Sequence, residues 1–258
     1  FGYADVWFRD YGPIFVKNQN HELAMLQWDF NSWGEKYEDL LRDKHVPDFI
    51  NHKMGLRCFK PNIVLEGGSI DVNGKGTLLT TAQCLLNKNR NPTLDKTQIE
   101  KYLADYIGAS HFIWLKCGIL GDDTDGHIDD LARFVNPGTI VCAYQEDEND
   151  EDYDVLRENY EILCNSVDQD GKKLKIVKLP MPKVISDEGQ RLPASYTNFY
   201  IGNEKVLVPT FEQKNDRKAL SILQDLFPTR KIVGIQCVDL VYGFGTIHCI
   251  SQQQPCPA

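Results

Sequence analysis

The sequence predicts an α/β fold in which strand–strand–helix–strand (ββαβ) units repeat around a ring, and three observations carry that prediction. Five segments share one shape: an apolar strand holding a polar residue, a short turn, and a second apolar strand. Between them run stretches of helical periodicity, each followed by a further apolar strand. The unit recurs at intervals of roughly 50 to 70 residues, and repeats of that period that mix hairpins with helices usually close into a ring or propeller.

In chain order, the paired-strand segments are VWFRDYGPIFVKNQNHELAMLQ, IVLEGGSIDVNGKGTLLTTAQ, DGHIDDLARFVNPGTIVCAY, SYTNFYIGNEKVLVPTF and YGFGTIHCIS. The first four are hairpins by their turn chemistry: KNQN, NGKG, NPG and GNE supply Asn and Gly, which tolerate positive φ. The fifth reads as a strand through TIHCIS. Residues 92–109 place Leu94, Ile99, Leu103, Tyr106 and Ile107 at helical spacing, with Thr93 as the expected cap and Gly108 near the end. DEDYDVLRENYEILCNSV and NDRKALSILQDLFPTR read as helices too, followed by the strands KLKIVKLP and KIVGIQC. One domain over residues 1–258 is expected, and the opening residues read as the middle of a folded unit, so the first blade should lack its beginning.

Composition narrows the function. The 258 residues are 42% hydrophobic and 25% charged, ordinary for a globular chain with a core. A net charge of −9 with scattered Lys and Arg argues against nucleic acid and anionic membrane as partners. No apolar run has the length of a membrane span and no signal peptide opens the chain, so a cytoplasmic protein is expected. Cysteines 58, 84, 117, 142, 164, 237, 249 and 256 lie far apart, are expected to be reduced and mostly buried, and lack zinc-site spacing. A homo-oligomer is left open.

A ring brings one polar residue per unit to a shared axis. The candidates are Asp10, Glu66, His127 with Asp129, Asn198 and Cys249. Neighbours on a strand face opposite ways, so His248 is not expected to serve Cys249, whereas His127 and Asp129 share a face. A cysteine–histidine partnership would then join Cys249 to His127. Each has a plainer reading: an inert buried thiol, a surface histidine, turn acids at Asp10 and Glu66, and a solvated helix-capping loop at residues 146–154. GDDTDGHIDD fails as a calcium loop, because Gly121 and Ala132 fall on ligand positions. Their joint occurrence favours a site, since buried acids left unpaired cost several kcal/mol apiece.

The motifs WFRDYGP, EGGSIDVNGKGTLLTT, CLLNKNRNP, TDGHIDDLARFV, ASYTNFYI and GFGTIHCISQQQP resemble the agmatine deiminase and bacterial peptidyl-arginine deiminase family over essentially the whole chain. The resemblance implies a five-bladed α/β propeller and hydrolysis of a guanidinium without metal or cofactor. It implies Cys249 as nucleophile, His127 as general acid and base, Asp10, Glu66 and Asp129 as carboxylates gripping the guanidinium, and Trp7 as an aromatic lining the substrate channel. The expected reaction converts agmatine to N-carbamoylputrescine and ammonia through a covalent thiouronium. Arginyl substrates, an amidinotransferase and a silent guanidine or polyamine binder are the alternatives. GFGT departs from the family's glycine run, and Phe244 and Thr246 would add bulk beside the substrate tail. For free arginine, Arg9 or Arg191 would have to meet the α-carboxylate.

Overall fold

The computed structural model describes residues 2–256. Among them, four three-stranded sheets share one plan, an antiparallel hairpin extended by a parallel third strand. The hairpins are Ile14–Lys17 with Leu23–Leu26, Ile70–Val72 with Thr77–Thr81, Ala132–Asn136 with Thr139–Tyr144, and Tyr200–Ile201 with Lys205–Thr210. The third strands, Arg57–Phe59, His111–Leu115, Lys175–Pro180 and Lys231–Gln236, pair in parallel with the second hairpin strands. All four predicted hairpins form, with their turns where Asn and Gly allow a tight reversal.

A parallel third strand requires a crossover, and a helix supplies it in every unit. Lys96–Ile107 starts at Asp95, whose side chain accepts from Gln98 N in a capping box, so the cap lies two residues after the expected Thr93. Gly108 closes it in the left-handed region. Tyr153–Asn165 and Lys214–Leu226 form as their periodicity predicts. In the first unit the crossover is Val46–Met54, started by Pro47 and closed by Gly55 at φ 61°.

The apolar core joins consecutive sheets. Leu26 and Trp28 pack with Leu78 and Leu103; Leu79 and Ile113 pack with Phe134 and Leu156; Val141 and Leu179 pack with Val206 and Leu223. Polar cross-links add to this: Arg133 Nε holds Asp71 at 2.8 Å in the preceding unit, and its Nη1 donates to the Phe199 carbonyl at 3.0 Å in the following one. The last described segment returns to the first, with Arg9 N donating to the Cys249 carbonyl at 2.9 Å and Arg9 Nη1 to Gln252 and Gln253 at 2.6 and 2.7 Å. All eight cysteines are free; Cys84, Cys142, Cys237 and Cys249 are buried, while Cys117 and Cys256 are exposed. No described helix is long and apolar enough to cross a membrane. The acidic run at 146–154 is not merely solvated, because Asp150 and Asp152 hold Arg191 at 2.8 and 2.7 Å.

Candidate active site

Each unit presents its polar residues from the turn ahead of its first strand rather than from the strand itself. Asp10 lies in the helical turn Phe8–Tyr11, and Glu66 directly precedes the turn Gly67–Ser69. His127 precedes the turn Ile128–Asp130, which carries Asp129, and Asn198 stands two residues before Tyr200–Ile201. Most ladder positions carry apolar residues packed between sheets, whereas these turns bring the side chains of Asp10, Glu66, His127 and Asp129 close to one another.

The expected strand at TIHCIS does not form; residues 247–250 are turns. Its apolar, β-branched pattern finds no sheet edge, and the Asn198 side chain takes its donors instead. Asn198 Oδ1 accepts from Thr246 Oγ1 at 2.7 Å and His248 N at 2.9 Å, and Asn198 Nδ2 lies 3.1 Å from Cys249 Sγ. The strand on which the opposite-face argument rested is therefore absent, yet Cys249 and His248 still line different cavities. His248 Nδ1 lies 2.6 Å from Asp129 Oδ2, and Cys249 Sγ lies 3.9 Å from that same oxygen. Thr246 is an anchor for the turn and not bulk beside a ligand.

Asp10 Oδ1 accepts from Gly68 N at 2.9 Å and lies 3.7 Å from His127 Nδ1, while Asp10 Oδ2 accepts from Trp33 Nε1 at 2.9 Å. Gly68 sits where these groups converge: a Cβ there would come within 2.6 Å of His127 Nδ1, 2.8 Å of Asp10 and 3.1 Å of Asp129. His127 is aimed by its loop, in which Asp122 Oδ2 accepts from His127 N at 2.9 Å and Gly126 takes φ 88°. Glu66 lies beside His127 and off the cavity wall, its Oε1 held by Arg90 Nε at 2.6 Å. Glu66 Oε2, His127 Nε2 and Asp129 Oδ1 are buried without protein partners.

A cavity of about 280 Å³ opens over Cys249, walled by Trp7, Trp33, Tyr37 and Phe244. Its charged lining residues are Asp5, Asp10 and Asp123, with no Lys or Arg among them. Neither arginine considered for an α-carboxylate lines this cavity: Arg9 reaches the C-terminal segment and Arg191 holds Asp150 and Asp152. Trp7 presses on the backbone of Gly243 and Gly245, where a Cβ would come within 2.8 and 2.5 Å of the indole, which accounts for both glycines of GFG. Phe244 between them takes φ 68°, a costly conformation for a bulky residue. Trp33 belongs to another such stretch, Ser32 to Glu35, all at positive φ and braced by Asn31 Oδ1 accepting from Gly34 N.

Burial of many acids perturbs them in one direction. Desolvation raises Asp10 to about 6 against the pull of its Trp33 and Gly68 hydrogen bonds. Asp129 is pushed up by burial and by Asp10. The Cys249 thiol is pushed well up by burial and by Asp129, Asp130 and Asp10, while burial lowers His127, so these surroundings favour a neutral thiol and neutral imidazole. Donor atoms of Glu66, Cys84 and His127 lie within 4.8 Å of one another, as do those of Asp129, Asp130 and Cys249, but Arg90 and Asn198 already answer acids in these groups.

Sequence reasoning brought Cys249, His127, Asp129, Asp10, Glu66, Asn198 and Trp7 to this place; it missed Trp33, Arg90, Asp5 and Asp123. Trp33 and Asp123 stand in aperiodic loops, where only proximity to a found motif could have signalled them.

A family model described as Porphyromonas-type peptidyl-arginine deiminase matches residues 1–255. A Legionella pneumophila (strain Philadelphia 1) protein named as a candidate agmatine deiminase is 40% identical over 97% of this chain and 72% of its own. The structure of an Enterococcus faecalis agmatine deiminase aligns with a TM-score of 0.95 at 39% identity, covering 98% of this chain and 75% of that one. A Cys-to-Ser variant of C. jejuni agmatine deiminase with substrate bound aligns at 0.87 and 38% identity, covering 94% and 71%.

Proposed function

This chain belongs to the Porphyromonas-type peptidyl-arginine deiminase family, and from that premise we propose that it is an agmatine deiminase, releasing ammonia from agmatine to give N-carbamoylputrescine. The observation that carries agmatine over free arginine is the cavity above Cys249, whose charged walls are acidic only. A guanidinium deep in the site and an ammonium near Asp5 or Asp123 would both be compensated, whereas an α-carboxylate would meet no cation. In this reading the four sheets are blades of a five-bladed propeller, the chain acts as one domain, and it works in the cytoplasm.

Asp10 and Asp129 grip the guanidinium, using the charge-assisted, paired geometry that also fixes its plane. Glu66, tied to Arg90, stands within 4.8 Å of the His127 ring, where its charge favours the imidazolium. Arrival of the cation neutralises the acids that oppose a thiolate, and the Cys249 proton passes to His127. Sulfur attacks the guanidino carbon, and His127 returns the proton to the departing nitrogen, so the C–N bond breaks and ammonia leaves. Water deprotonated by His127 then attacks the thiouronium carbon, the S–C bond breaks, and the ureido product forms.

Cys249→Ala is expected to abolish ammonia release while agmatine still binds; release that persists in that variant ends the proposal. Agmatine, arginine and an arginyl peptide assayed side by side decide the substrate, with agmatine expected to lead in kcat/KM by at least tenfold. That margin corresponds to about 1.4 kcal/mol, the least an unpaired carboxylate among acids should cost.

A further inference from the structure

A second cavity of about 310 Å³ shares no lining residue with the one above Cys249. Its charged walls are Arg9, Arg133 and Asp71, and His248 also faces it. Asp71 answers Arg133 through Nε, and the carbonyls of Phe199 and Thr197 take Nη1, which leaves Nη2 for a ligand. Arg9 is 3% exposed, and although its Nε and Nη1 are bonded to His248, Gln252 and Gln253, its Nη2 is buried without a partner. Two guanidiniums thus face one carboxylate, with a donor that nothing in the protein satisfies. Gln252, Gln253 and Tyr200 add polar groups to the wall, and Ile14, Phe134 and Ile201 are among the residues that give it an apolar side.

The geometry points to a binding site for a small organic acid, its carboxylate on the Arg9 and Arg133 guanidiniums and its hydrocarbon body on Ile14, Phe134 and Ile201. A guanidinium donates in a planar fork that matches a carboxylate, and the apolar walls favour a ligand with a body over a bare oxyanion. Arg9 is held down to about 10, first by burial and next by repulsion from Arg133, a tension that an anion between them relieves. The site stands apart from the deiminase reading, although His248, which reaches Asp129, borders it.

Calorimetric titration with butyrate, in buffer free of other oxyanions, should show one saturable site that saturating agmatine leaves intact in the Cys249→Ala protein. Val72 lines the cavity and is 43% exposed, so its replacement should leave the fold alone. Val72→Asp should weaken butyrate roughly fivefold and Val72→Lys tighten it by a similar factor, as one charge on the cavity wall in a partly screened setting would do. Arg133→Gln should abolish binding; if that variant does not fold, the Val72 pair decides. Absence of saturable binding, indifference to both Val72 changes, or displacement by agmatine overturns the assignment. Inorganic phosphate binding as tightly as butyrate overturns the organic-acid reading.

Discussion

Asn198 gives the turn that carries Cys249 its shape, because one side-chain oxygen gathers Thr246 and His248 while the amide nitrogen reaches the sulfur. Asn198→Ala should therefore cut kcat by about a hundredfold with a smaller change in KM, since misplacement by about 1 Å is worth that much. Slower alkylation of Cys249 by iodoacetamide would accompany it, and unchanged kcat would leave the turn held by other bonds. On the proposed mechanism, Asp10 should set the acid limb. Its carboxyl is raised to about 6, so below that pH it is neutral in the free protein and no longer attracts a guanidinium. Accordingly kcat/KM should fall about tenfold per pH unit below about 6 and level off above it, read from a pH profile. A flat profile between pH 5 and 7 contradicts the role. Residues such as these were legible because sulfur, imidazole and carboxylate are rare among apolar neighbours. Trp33 was not, since its role depends on a left-handed loop that leaves no periodic trace.

The short turns ahead of the first strands are the elements that make the site, and Gly68 shows how closely they are packed. Gly68→Ala would drive a methyl into His127, Asp10 and Asp129 together. Activity should drop at least a hundredfold while the melting temperature moves by only a few degrees, a split that kinetics and calorimetry would show. Hairpins and long helices were readable because their signals are local: Asn and Gly in the turns, apolar spacing, a glycine stop. The crossover Val46–Met54 was missed, its stripe being short and its entry a tight helical stretch from Glu38 to His45. The misread strand at TIHCIS has the right residue types, but a strand needs an edge, and edges are assigned by tertiary structure.

Across the molecule, apolar clusters tie each sheet to the next, and Arg9 ties the last described segment to the first. The repeat showed in the sequence; which turns would face inward, and that Glu66 would stand beside Arg90, did not, because both depend on residues far apart in the chain. In the proposed reading, the acids gathered from several units repel one another until a cation enters. Agmatine should accordingly raise the melting temperature of the Cys249→Ala protein, by the equivalent of about 2.7 kcal/mol at a hundred times its Kd. Free arginine at the same concentration should do so far less. No shift with either ligand would argue against binding at this cavity. Two indoles, at positions 7 and 33, wall the same hollow, and one of them donates to the carboxylate at position 10. Occupancy therefore comes with its own optical gauge: emission excited near 295 nm should change as the pocket fills, without any added dye.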